Sequence, residues 1–291
     1  MKKCSNAIAA LALSGVVCLS EVCLAQEEAT VDKDAGASAS ALASSSHSAT
    51  ALAKKTQNPV SDLISVPFEN DFGFGAGHDG EFSYSLIIKP VYPQRLSNDW
   101  NWIHRALIPI VDQPNIGPGS IGENCGLGDI QYQGYLSPGK PGQWIWGVGP
   151  VLEFPTATDS DLGSEKWSAG PGAVLLRMDG PWVVGGTINN IWSFAGDGNR
   201  DYVNRMTIQP FINYNLPEGW YLTSAPIVTA NWNADSEDIW TVPIGGGVGK
   251  IVKFGKLPVN VTLQAYYNIE RPDPAPDWSV RFQFAFLFPK G

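Results

Sequence analysis

Residues 278–288 read Trp-Ser-Val-Arg-Phe-Gln-Phe-Ala-Phe-Leu-Phe. Trp278, Val280, Phe282, Phe284, Phe286 and Phe288 take every second position, and Ser279, Arg281, Gln283, Ala285 and Leu287 fill the alternate ones. A period of two belongs to a strand whose faces meet different surroundings. A row with four phenylalanines needs an apolar neighbour, either the inside of a protein or the acyl chains of a bilayer.

The pattern returns along the chain. It predicts twelve strands, at about 63–75, 82–93, 100–111, 127–137, 143–155, 167–178, 181–194, 203–215, 219–232, 239–254, 258–269 and 278–289. In 258–269, Val259, Val261, Leu263, Ala265, Tyr267 and Ile269 oppose Asn260, Thr262, Gln264, Tyr266 and Asn268. In 82–93, Phe82, Tyr84, Leu86, Ile88 and Tyr92 oppose Ser83, Ser85, Ile87 and Lys89. The stretches Trp100–Val111 and Trp167–Met178 do not show which face is apolar.

A soluble sandwich also alternates, but three features select the bilayer. Aromatics gather at the ends of the apolar rows, as with Trp220 and Trp232 or Trp182 and Trp192, which suits two interfacial girdles. The opposite rows carry Lys89, Glu153, Arg205, Gln209, Gln264, Glu270, Arg281 and Gln283, and these eight are predicted to face a wet lumen. Short Pro/Gly links at 137–142, 178–181, 216–219 and 255–258 alternate with longer, often acidic ones at 112–126, 156–166, 196–202, 235–238 and 270–277. Outer-membrane barrels pair short periplasmic turns with longer outer loops in this way. The reading is therefore all-β: a transmembrane antiparallel up-and-down β-barrel of about twelve strands, with both ends in the periplasm.

The barrel is expected over 58–291. Before it, Lys2 and Lys3, the apolar stretch Ile8–Val17 and Cys23-Leu24-Ala25 read as an export signal over 1–25. Residues 26–57 are rich in Ala and Ser and read as a disordered periplasmic linker, with a short helix allowed at either end. Cys4, Cys18 and Cys23 lie in the signal, so only Cys125 remains and no internal disulfide is expected. The formal charge of -9 argues against nucleic-acid binding.

The segments GVGPVLEFPTATD (147–159), KWSAGPGAVLLRMDGPW (166–182) and IWSFAGDGNRDYVNRMTIQPFINYN (191–215), with the closing DWSVRFQFAFLFPK, carry a further signal. They resemble the outer-membrane proteins linked to the phenol meta-cleavage pathway, transporter-like chains also labelled neuromedin U-like. The resemblance spans essentially 56–291. It implies an outer-membrane barrel with a role in uptake of small, often hydrophobic compounds, and it supplies no catalytic motif. The terminal aromatic strand also looks like a barrel-assembly signal, although Pro289-Lys290-Gly291 follow Phe288.

Motifs for other chemistry fall short. Ile244-Gly-Gly-Gly-Val-Gly-Lys250 lacks the hydroxyl residue and glycine spacing of a phosphate loop, and reads as strand glycines that allow close packing. GPGSIG (117–122) has Pro118 where a nucleophile elbow needs glycine. Asp197-Gly-Asn-Arg-Asp201 lacks the later glutamate of a calcium loop. His104 and Arg105 are adjacent on one strand, so only one of them faces inward. No catalytic residue, metal ligand or cofactor is assigned.

The expected function is an outer-membrane channel or transporter for passive uptake of small, hydrophobic or aromatic compounds, in a Gram-negative bacterium. The alternatives are a structural envelope barrel without flux and an outer-membrane hydrolase built on His78 or His104. Expected partners are outer-membrane lipids and lipopolysaccharide, the barrel assembly machinery and the small-molecule solute.

Overall fold

The computed structural model describes residues 49–77, 80–113, 124–140, 142–255 and 257–288. The signal peptide, most of the linker, His47, His78, GPGSIG and Pro289–Gly291 lie outside the described residues.

Among the described residues, fifteen strand segments form one sheet: β1 (Ile64–Ala76), β2 (Glu81–Ile88), β3 (Val91–Arg95), β4 (Trp100–Gln113), β5 (Asn124–Leu127), β6 (Ile130–Pro138), β7 (Trp144–Phe154), β8 (Lys166–Asp179), β9 (Trp182–Gly196), β10 (Asn204–Asn215), β11 (Trp220–Ser224), β12 (Val228–Asn231), β13 (Trp240–Phe254), β14 (Leu257–Glu270) and β15 (Trp278–Phe288). Three crossings are interrupted. Lys89-Pro90 divides β2 from β3, Gly128-Asp129 divides β5 from β6, and Ala225-Pro226-Ile227 divides β11 from β12. A proline has no N–H for the ladder, which accounts for two of the breaks. Counting each interrupted pair once leaves twelve crossings, each antiparallel to its neighbours.

β15 pairs with β1, Phe284 opposite Phe68 and Arg281 opposite Asp71, and this seam closes the barrel. Closure removes both sheet edges, whose free N–H and C=O groups hydrocarbon cannot satisfy. One rim carries the tight links around Gly180, Glu218 and Gly255, and is called the turn end here. The other carries the links 155–165, 197–203, 232–239 and 271–277, and is the loop end.

The outer face is apolar between two aromatic belts. Trp100, Trp144, Trp182 and Trp220 are exposed at the turn end, and Trp167, Trp192, Trp232 and Trp278 at the loop end. Between them Leu175, Val184, Ile188, Ile212, Leu222, Val248 and Leu263 are exposed. A surface of this kind is unsuited to water and matches a bilayer in pattern. Lys250 lies 4.5 Å from the Trp220 ring centroid, as a basic residue does when it reaches for the interface. No helix among the described residues is long and apolar enough to cross a membrane.

The phenylalanine row of β15 lies on this outer face, with Phe284 stacked on Phe68 at 5.0 Å and 7°. Phe284→Arg is therefore expected to cost about 2–4 kcal/mol of insertion. A reduced heat-modifiable, compact band on gels will show it. Asn70 shares the outer row of β1, yet it is buried, because its Oδ1 accepts from Tyr84 Oη at 2.7 Å and its Nδ2 donates to the Phe282 carbonyl at 3.2 Å.

The described end of the 26–57 segment is helical, as the sequence reading allowed. Residues 49–56 form a helix, followed by a turn. Its Ala, Leu and Lys residues favour helix, but eight residues are marginal in water, so docking must supply the rest. Lys54 Nζ donates to the Gly180 carbonyl at 2.6 Å, and Gln57 and Asn215 exchange two amide hydrogen bonds of 3.0 Å. Thr50 Oγ1 donates to the Leu216 carbonyl and accepts from Gly219 N–H. Gly219 has φ +77°, which favours glycine, and a Cβ there would stand a tight 3.1 Å from Ala49 Cβ.

Residues 49–63 thus lie inside the barrel at the turn end. Ala53 and Leu63 pack with Tyr221, Ile251, Ala285 and Leu287. Val60 packs with Ile103, Tyr135, Ile145, Val174, Leu176, Val183 and Phe211. Asn58 Oδ1 accepts from Val60 N–H, fixing the turn between helix and β1. The Ile244–Lys250 glycines lie in β13, and a Cβ on Gly249 would meet the Tyr221 ring at 2.2 Å. Glycine there lets Tyr221 lie against the wall beside the helix.

Candidate functional site

Beyond the apolar plug, the inward rows turn polar. On β1 the outward Phe68, Phe72 and Phe74 leave Glu69 and Asp71 pointing inward. Lys89 Nζ donates to Glu69 Oε1 at 2.6 Å, and both side chains are almost fully buried. Arg281 places Nε and Nη2 on Asp71 Oδ2 at 3.0 and 2.8 Å, and its Nε lies 3.7 Å from Glu69 Oε1. Its guanidinium also packs over the Tyr266 ring at 5.1 Å. Two carboxylates from β1 therefore hold cations from the two crossings on either side of it.

The break after β11 feeds the same region. Ala225 N–H donates to Tyr266 Oη at 3.0 Å, while its carbonyl accepts from Arg281 Nη1 and Gln209 Nε2, each at 3.4 Å. Backbone groups released from the ladder are satisfied by side chains inside the barrel. A second chain of polar contacts climbs the wall. Tyr135 Oη donates to Gln133, Gln133 Nε2 to Gln131 at 2.7 Å, and Gln131 Nε2 to Glu153 at 3.3 Å. Arg205 Nη2 then donates to Glu153 Oε2 at 2.5 Å.

Of the residues expected in the lumen, Lys89 and Arg281 meet at Glu69, while Glu153 pairs with Arg205 nearer the loop end. Gln264 is buried and accepts from Tyr266 Oη, Gln209 reaches Ala225, and Gln283 lines a cavity with Lys89 and Gln264. Glu270 joins neither group and is exposed at the loop-end terminus of β14. Glu69, Asp71 and Gln133 were not among the expected lumen residues, and Arg105 was named only as the alternative to His104. The Phe68, Phe72, Phe74 row carries enough period-two signal to have placed the first two.

The adjacent His104 and Arg105 separate. Arg105 faces inward, opposite Val91 and Gln133, and lines the cavity. His104 faces outward, with Nδ1 2.9 Å from Tyr132 Oη and Nε2 2.9 Å from Gln94 Oε1. Trp102 Nε1 donates to the same hydroxyl at 3.1 Å. A serine or carboxylate is not among these contacts of His104.

The cavity, about 180 Å³, lies between the plug and the buried charges. At the loop end, Arg200 Nη2 donates to the Ser160 and Gly163 carbonyls, and Asp129 gathers Thr156, Ala157 and Ser164 through their N–H groups. These bonds fix the rim of the barrel. No group of three or more His, Cys, Asp or Glu suited to a metal occurs among the described residues.

Comparison with solved structures places this geometry. An outer membrane channel from Pseudomonas putida F1 superposes with a TM-score of 0.60 at 17% identity, over 78% of this chain and 94% of that one. The chain shares the fold of that channel. Outer membrane phospholipase A from Escherichia coli gives a TM-score of 0.42 at 12% identity, over 83% of this chain and 98% of the enzyme. A bacterial polysaccharide outer membrane secretin gives 0.38 at 14% identity, over 78% and 99%. No family model and no curated protein matches the sequence.

Proposed function

We propose that this barrel is a passive channel in the outer membrane of a Gram-negative bacterium, taking up small hydrophobic or aromatic compounds. The observation that carries the reading is a lipid-facing barrel enclosing a polar, ion-paired lumen with a cavity above an apolar plug. The fold shared with an outer membrane channel supports it. So does the resemblance of 147–215 and the last strand to outer-membrane proteins of the phenol meta-cleavage pathway. The plug narrows the turn end, so flux requires 49–63 to shift or leaves only a thin path beside it. In this reading the outer wall meets lipid and lipopolysaccharide, and the assembly machinery recognises β15.

Swelling of liposomes carrying the full chain, with aromatic, aliphatic and sugar solutes of similar size, tests the proposal. Faster entry of the aromatic solutes is expected. Absence of entry for every solute would leave an envelope barrel without flux.

The same reading puts the turn end in the periplasm. In a Cys125→Ser background, Glu237→Cys is expected to react with an impermeant thiol reagent on intact cells. Lys140→Cys should react only after the outer membrane is opened. The opposite pattern would invert the assignment.

A further inference from the structure

We infer that the lumen cavity is a binding site for a carboxylate attached to a small apolar body, with Arg105 as the anion ligand. The inference rests on the channel reading above and names the chemistry of the solute the channel holds.

Among the described residues, the charges around the cavity do not balance. Lys89, Arg105 and Arg281 face Glu69 and Asp71, three cations against two carboxylates. Lys89 and Arg281 take up both carboxylates at 2.6–3.7 Å. Arg105 forms neither an ion pair nor a side-chain hydrogen bond among the described residues. Its charge still acts on both Glu69 and Lys89, so it stands beside the cluster and not apart from it. Arg105 is half-buried on the cavity wall, and its guanidinium carries five donors and cannot shed its proton. Of the charged residues lining the cavity, two are cations and only Glu69 is an anion.

The rest of the lining is mixed. Leu63, Val91, Phe211 and Tyr221 offer apolar surface in the same space. A cavity of about 150 Å³ holds a benzene ring, and this one measures about 180 Å³. A carboxylate meets a guanidinium through two parallel, charge-assisted bonds, which an alcohol cannot make. A cation would meet Arg105 and Lys89 with like charge.

The test is calorimetric titration of the folded, detergent-held full chain with benzoate, benzyl alcohol, benzylammonium and acetate. Benzoate is expected to bind at one site per barrel, about tenfold or more tighter than the other three. Arg105→Gln should reduce benzoate affinity to the level of benzyl alcohol. Gln133→Glu, which puts a carboxylate at the register partner of Arg105 while keeping the guanidinium, should have the same effect. Equal affinities for benzoate and benzyl alcohol, or unchanged benzoate binding in a folded Arg105→Gln barrel, would overturn the site. Displacement by chloride or acetate as readily as by benzoate would also overturn it, leaving a counter-ion position. Binding in micelles and swelling in liposomes are separate readouts. A barrel that binds benzoate without flux sinks the channel reading, and one that passes solutes without preferring benzoate sinks this one.

Discussion

Glu69→Ala will destabilise the folded barrel by about 3–5 kcal/mol, seen as a lower urea midpoint for loss of the compact gel form. Glu69 is the hub of the buried charges, holding Lys89 at 2.6 Å and lying 3.7 Å from Arg281. Its removal strands Lys89 without a partner and leaves three cations against Asp71 alone. The interior cannot hydrate them as bulk water would. Glu69→Gln keeps the shape and one acceptor, and should fall between wild type and alanine. A Lys89→Met, Glu69→Met double substitution should recover most of the loss, because replacing both members of a buried pair with apolar groups is often close to neutral. If Glu69→Ala unfolds at the wild-type urea concentration, the cluster is hydrated well enough to need no internal balance.

Deletion of residues 26–60 will raise single-channel conductance severalfold in planar bilayers, the largest functional change expected of any alteration here. The deletion removes the helix, the Gln57–Asn215 amide pair and the Val60 anchor together. It opens the inner faces of Tyr135, Leu176, Val183, Tyr221 and Ile251 to water. A twelve-strand barrel is wider than the eight-strand barrels that side chains fill unaided. Wild-type conductance should be small and the deleted form larger and steadier. The seam pairing of β1 with β15 begins at Ile64, so the wall itself is left whole. Equal conductance in both forms would mean that ions bypass the plug.

The wall was legible in the sequence because one rule holds at most outward positions: lipid favours apolar side chains there. The rows of β14 and β15 obey it without exception, and all twelve expected segments coincide with crossings. The interior follows no such rule. On β8 the inward Val174 and Leu176 are as apolar as the outward Leu175, because they pack against Val60 of the plug. β4 is ambiguous for a like reason, with Ile103 inward in that core and His104 outward in a polar group with Tyr132 and Gln94. The sequence allowed a short helix at the end of the linker but left its place in the lumen open, because that helix takes its stability from the barrel and composition records no such contact. Glu69 and Asp71 were within reach of the β1 alternation. That Arg105 lacks a partner was not, since it depends on which distant strands meet.

The position of the charged cluster also bears on how the chain is assembled. Glu69 and Asp71 belong to the first strand and Arg281 to the last, and they become neighbours only when the two ends of the sheet meet. An unclosed sheet therefore carries unmatched charge on both free edges, and those edges are drawn to each other by more than backbone pairing. Residues 49–63 directly precede the first strand, and they must already lie on the concave side, or enter afterwards through a rim. Joining the seam thus completes the wall and pairs Arg281 with Asp71 in a single event.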